Sequence, residues 1–385
     1  MKKLHFICIL LLLSACGKGT SPQATPSPAA TVETTVAAAP TMEEAPTNTP
    51  EPPRVTLVVF GAGSLIIPFN HLEKAFETRY PYIDVQAEYH GSIQVMRHAT
   101  ELHESIDVVA TADAALIPML MYVMNDPDTG EPYASWYIRF ASNSLALAYT
   151  SQSKYADEIN ADNWATVLAR SDLKVGLADP RFDAVGYRAL MAFALAQDAY
   201  GQYNLFTDMF NGQFTSPITI FTDDDLTTVT VPEIVETRSN ASIVVRGASI
   251  QLIALLESGD LDYAFEYESV IQQHSLEMLH LPEAVNLGAE NIDYGSVQVN
   301  LDFRRFATVK PEFRGERIGY GITIPSNAPH PREAALFIAF LLGPEGRAVM
   351  EADHHPLFDP ALGDGYADIP AELQALCAPA ASGSK

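Results

Sequence analysis

Cysteine is scarce in this chain of 385 residues, which holds three in all. Cys8 lies in an amino-terminal segment expected to be removed, Cys16 closes that segment, and Cys377 stands alone near the other end. No pair remains to build a disulfide framework. Positive charge is scarce too. Twenty-three Lys and Arg face 48 Asp and Glu, a net charge of −25, and no basic stripe exists to neutralise phosphates. Nucleic acid is thereby excluded as a partner. The common catalytic signatures are missing: no Gly-x-Ser-x-Gly elbow, no His-Glu-x-x-His helix, no glycine-rich nucleotide loop. His354 and His355 are adjacent, and adjacent residues do not share a helix face, so they are not read as a metal site. An enzyme is not expected, and no cofactor is implied.

What is present at the amino terminus sets an address. Lys2 and Lys3 precede the apolar run Phe6 to Leu13, too short to remain as a membrane span and shaped like a secretory signal. Leu13-Ser14-Ala15-Cys16 resembles the lipobox of bacterial lipoproteins, so residues 1–16 read as a lipoprotein signal with Cys16 as the lipidated, membrane-tethering residue. The expected location is extracytoplasmic, lipid-anchored to the cell membrane. Residues 17–53 are mostly Thr, Pro, Ala and Ser and read as a disordered tether. The stretch beyond is long enough for two lobes, with 54–139 and 325–360 expected in lobe 1 and 140–324 in lobe 2. Residues 361–385 turn Ala/Pro-rich and read as a loose tail.

Past the tether, apolar strands alternate with amphipathic helices, the mark of an α/β protein with mostly parallel sheets. Three of the turns share a design. Strand Val55–Phe60 runs through Gly61-Ala62-Gly63-Ser64 into a helix, strand Ile83–Tyr89 runs through His90-Gly91-Ser92 into another, and the turn Asp179 to Arg188 opens a third. Free N–H groups and the positive end of the helix dipole at such starts attract anions. Overall acidity is compatible with this, because fixed dipoles act at short range while bulk charge is screened over about 8 Å at physiological salt. Asp223-Asp224-Asp225 reads as a solvated loop. The implied protein binds a small anion between two lobes, at the carboxyl ends of strands.

Several segments also carry a resemblance. Gly63-Ser64-Leu65, Leu72 to Glu77 before Tyr80-Pro81, Ile106-Asp107-Val108-Val109-Ala110, Lys154 to Trp164, Gly186-Tyr187-Arg188 and Leu255 to Phe265 are similar to the extracytoplasmic molybdate/tungstate-binding proteins of ABC importers, in the tungstate-binding branch. The resemblance implies a two-lobed periplasmic-binding fold of type II that closes on a bare oxyanion. It implies an oxyanion site of Gly63, Ser64, Ser92, Asp183 with Ala184 and Val185, and Tyr267. Ser249 stands where that branch has a Glu, so of the two carboxylates that approach the metal there only Asp183 would remain as a direct Mo or W ligand. Ser249 would donate from its hydroxyl or backbone N–H. The implied partners are the oxyanion, molybdate or tungstate, and an ABC permease, and a monomer is expected. The alternatives are another oxyanion such as sulfate, or ferric ion. Ferric sites of this superfold favour clustered tyrosines, and the sequence shows no tyrosine pair beside Tyr267. A purely structural lipoprotein would not need repeated anion sites.

Overall fold

The computed structural model describes residues 53–302 and 311–380. The signal segment, Cys16 and nearly all of the tether lie outside the described residues. Among those described, no helix is long and apolar enough to cross a membrane.

The chain enters through β1 (Val55–Ala62), α1 (Ile66–Arg79), β2 (Ile83–His90), α2 (Ser92–Thr100), β3 (Val108–Thr111) and β4 (Tyr137–Ser142). It continues with β5 (Leu145–Tyr149), α3 (Trp164–Leu168), β6 (Val175–Ala178), α4 (Ala184–Tyr200), α5 (Leu205–Phe210), β7 (Thr219–Asp223) and β8 (Leu226–Val231). Next come β9 (Ile243–Arg246), α6 (Ile250–Glu257), β10 (Tyr263–Tyr267), α7 (Glu268–Gln273), β11 (Glu277–His280), β12 (Val297–Leu301) and β13 (Glu312–Arg314). It closes with β14 (Gly319–Thr323), α8 (Pro331–Leu342), α9 (Pro344–Ala352), β15 (Leu357–Asp364), α10 (Ala371–Gln374) and β16 (Cys377–Pro379).

These strands form three sheets. Lobe 1 holds a seven-stranded sheet ordered β16-β15-β4-β14-β3-β1-β2. Lobe 2 holds a five-stranded sheet, β11-β5-β10-β6-β9, and a four-stranded one, β13-β12-β8-β7. In lobe 1, β2, β1 and β3 run parallel, so Leu57, Val59, Val108 and Val109 are buried between helical layers as parallel strands require. Phe69 and Phe76 of α1 meet Phe337 of α8 edge to face, at ring separations of 5.9 and 5.2 Å. In lobe 2 the long α4 is apolar nearly all round and runs through the core, which is where such a helix has to be.

Register decides where function can sit. The carboxyl ends of β1, β2 and β3 lie side by side along one edge, and so do those of β6, β9 and β10. Each edge therefore collects the turns that follow three strands.

Two expectations need correction. Residues 361–380 are not a loose tail, because β15 and β16 extend the lobe 1 sheet while Ile369, Leu373 and Cys377, spaced four apart, are buried. The lobe boundaries shift, since β4 and β14 both belong to the lobe 1 sheet, which puts 137–142 and 319–323 on the lobe 1 side. β4 and β5 are parted at Asn143, whose side-chain Oδ1 accepts the N–H of Ser144 at 3.0 Å as the chain turns between sheets. Within 201–244, α5, β7 and β8 form, and the Asp223–Asp225 run lies exposed at the turn of the β7–β8 hairpin.

Candidate functional site

The lobe 1 edge presents Ser64, Ser92 and Asp113 just past β1, β2 and β3. Ser64 sits in a short 3-10 turn after β1, and its hydroxyl lies 2.9 Å from the Tyr320 hydroxyl of β14. Asn143 donates from Nδ2 to that phenol at 3.3 Å and to Ser269 Oγ at 2.7 Å. Ser92 opens α2, and its Oγ accepts the N–H of Ala112 at 3.1 Å. This knits the ends of β2 and β3 together.

The lobe 2 edge presents Asp183, Ser249 and Tyr267. Asp183 is the N-cap of α4, with Oδ1 accepting the N–H of Val185 at 2.8 Å. Its Oδ2 accepts the N–H of Ser249 at 3.1 Å, so one carboxyl joins the starts of α4 and α6. Burial pushes Asp183 up to about 6, against the pull of those two N–H groups and of Arg188. Tyr267, 1% exposed, accepts a hydrogen bond from Arg188 and faces Tyr320 with ring centroids 5.9 Å apart. Beside it Glu266, also 1% exposed, accepts the N–H of Tyr267 through Oε1 at 2.8 Å, while Oε2 has no partner.

The two edges meet. Ile93 N–H of lobe 1 donates to Phe182 O of lobe 2 at 3.0 Å. A Cβ on Gly91 would lie 2.3 Å from that same Phe182 oxygen, so only glycine permits the approach. Arg188 Nη1 donates across the cleft to Ala112 O at 2.8 Å and its Nη2 lies 3.4 Å from Asp113 Oδ2. Tyr187 donates to the same Asp113 carboxylate and stacks on Phe313 at 4.1 Å. The lobes are closed on one another through α4.

Every residue expected at the site falls on these facing edges: Gly63, Ser64 and Ser92 on one, Asp183, Ala184, Val185, Ser249 and Tyr267 on the other. Two of them differ in detail from the expectation. The Val185 N–H is taken by Asp183, and both Asp183 oxygens already hold backbone donors. The sequence reading missed Asp113, Asn143, Glu266 and Tyr320. It also found no tyrosine pair, whereas Tyr267 and Tyr320 form one. Burial raises both phenols well above their ordinary range, the opposite of what a ferric tyrosinate needs. His355 packs edge-on against Tyr320 at 4.9 Å, and burial lowers it to about 3, which keeps the ring neutral. Among the described residues no cluster of three metal-ligating side chains forms.

Two lobes whose parallel strand ends face each other across a buried, hydroxyl-rich cleft define a solute-binding protein. The chain belongs to the bacterial extracellular solute-binding protein family, which it matches over residues 57–354. It is 35% identical over 330 residues to the molybdate/tungstate-binding protein WtpA of Thermococcus kodakarensis, covering 83% of this chain and 87% of that one. An uncharacterized solute-binding protein of Methanoculleus marisnigri is 36% identical over 326 residues, covering 84% and 86%. Among solved structures, the periplasmic molybdate-binding protein of Azotobacter vinelandii aligns with a TM-score of 0.50 at 14% identity, covering 78% of this chain and 99% of that one. The sulfate-binding protein SubI of Mycobacterium tuberculosis aligns with a TM-score of 0.51 at 12% identity, covering 85% and 93%. At such identities these two structures speak for the fold alone.

Proposed function

We propose that this protein captures molybdate or tungstate outside the cytoplasm and delivers it to an ABC permease, as a binding protein and not an enzyme. The observation that carries the reading is the convergence of six parallel strand ends on Ser64, Ser92, Asp183, Ser249 and Tyr267, a cluster rich in hydroxyls and helix starts. The relative named for molybdate and tungstate supports the choice of anion. In this reading the oxyanion takes hydrogen bonds from Ser64, Ser92, Tyr267 and the first-turn N–H groups at Gly63 and Ala184, while the Val185 N–H stays with Asp183. Asp183 ties α4 to α6, each of its oxygens accepting one N–H group. The protein works as a monomer, held to the membrane through a lipid on Cys16.

Calorimetry of the full-length protein tests it. The expected result is one-to-one binding of molybdate and tungstate, each tighter than sulfate or phosphate. Sulfate binding equal to or tighter than molybdate would overturn the assignment.

A further inference from the structure

Glu266 is a fully buried carboxyl at the cleft with an oxygen left over. It lies next to the carboxyl end of β10, one residue before Tyr267. Along that strand side chains alternate between faces, so Glu266 shares the face of Ala264, which packs with Leu252 and Leu256 of α6. Glu266 therefore points toward α6 at the end where Ser249 starts it. Oε1 is held by the Tyr267 N–H, and Oε2 is buried with no partner. A buried carboxyl oxygen without a partner is costly, and it is retained where a ligand completes it.

We propose that Glu266 is a ligand-contacting residue, whose Oε2 donates a hydrogen bond to an oxygen of the bound oxyanion as a neutral carboxylic acid. The inference rests on the oxyanion reading of the cleft. An ionised carboxylate there would repel a dianion, whereas a protonated one adds a donor. The surroundings favour the proton. Asp183 at the start of α4 is a like charge, while the Tyr267 N–H and the Ser249 hydroxyl from α6 pull the other way. Tyr320 approaches from β14 with a raised, neutral phenol, Tyr267 is neutral on the same strand, and the cation Arg188 is engaged by Asp113 and Tyr267. Burial is the largest influence and lifts Glu266 to about 8, so at neutral pH the group carries its proton.

The test is calorimetry of molybdate binding between pH 6 and 9 on the full-length wild type, Glu266→Gln and Glu266→Leu. Glutamine keeps a neutral donor in the same shape. Wild-type affinity should fall about tenfold per pH unit once above pH 8. Glu266→Gln should stay within about threefold of wild type at pH 7 and lose that fall. Glu266→Leu should bind at least tenfold more weakly at every pH. Loss of binding in the Gln variant, or a wild-type fall above pH 8 that the Gln variant retains, would overturn the proposal while leaving the oxyanion site standing. Should Glu266→Leu fail to fold, the wild-type and Gln profiles alone decide. A wild type that binds no oxyanion would overturn the reading of the cleft and this proposal together.

Discussion

On the lobe 1 edge the strand ends carry serines, and the one acid there, Asp113, is held by Tyr187 and Arg188 from the other lobe. On the lobe 2 edge the strand ends carry Asp183 and Glu266, both buried and both raised by that burial. The backbone layout is the same on the two sides: parallel strands, short turns, helix starts. The side chains differ. Lobe 1 supplies neutral hydroxyls that suit any oxyanion, while lobe 2 supplies acids whose protonation sets how well the cleft tolerates negative charge.

The largest effect is expected where the faces are joined. Arg188 contacts Ala112 O, Tyr267 and Asp113 at once, and Glu316, raised by burial and then by Asp113, lies close to that carboxylate. Replacing Arg188 by Met would leave Asp113 buried beside another acid without its cation. Breaking a buried pair from one side costs roughly 3–5 kcal/mol. Urea unfolding of Arg188→Met should show a loss of that size, and small-angle scattering a more open molecule. A loss below about 1 kcal/mol would mean the bridge is incidental.

Next in size is a pH effect that belongs to lobe 2. In the unfolded chain Asp183 and Glu266 give up their protons near the ordinary values of 3.8 and 4.5, while in the fold they hold them to about 6 and about 8. The folded state thus binds more protons between those limits, and its stability must decline as pH rises through them. The contribution is whole below about pH 4, where the unfolded chain begins to ionise, and it falls until Asp183 ionises in the fold near 6 and Glu266 near 8, a loss of several kcal/mol in all. Denaturant titrations from pH 4 to 8 should show wild type losing stability relative to Glu266→Gln steadily from about pH 4.5 upward. Parallel curves for the two proteins would mean that Glu266 is ionised in the fold.

The same comparison explains what could be read from the sequence and what could not. Ser64, Ser92 and Asp183 announce themselves locally, because each follows a strand and opens a helical turn within a few residues. Gly259 is likewise legible, with φ at +78° just past α6. Tyr320 and Asn143 carry no such signal. Tyr320 lies 256 residues from Ser64 and 177 from Asn143, and only the return of β14 into the lobe 1 sheet brings them together. Glu266 looks like an ordinary strand residue until sheet order shows that both faces of β10 are covered. The carboxy-terminal strands were hidden by composition, since Ala and Pro there suggest a tail although Ile369, Leu373 and Cys377 are spaced to dock.

The smallest effect is expected on the lobe 1 face. The Ser64 hydroxyl is shared with Tyr320, 2.9 Å away, and Tyr320 also receives Asn143. Removing a donor to a charged ligand costs about 1.5–3 kcal/mol when nothing takes its place. In Ser64→Ala the freed Tyr320 hydroxyl can turn toward the ligand, so the loss should lie at the lower end, about tenfold in affinity. Because a hydroxyl neither ionises nor distinguishes one tetrahedral oxyanion from another by charge, that factor should be the same for molybdate and sulfate and the same at pH 6 and pH 8. Calorimetry with both anions at both pH values checks this. A loss that depended on the anion or on pH would show that selectivity does not reside with the acids of lobe 2, and that the serine face shares in it.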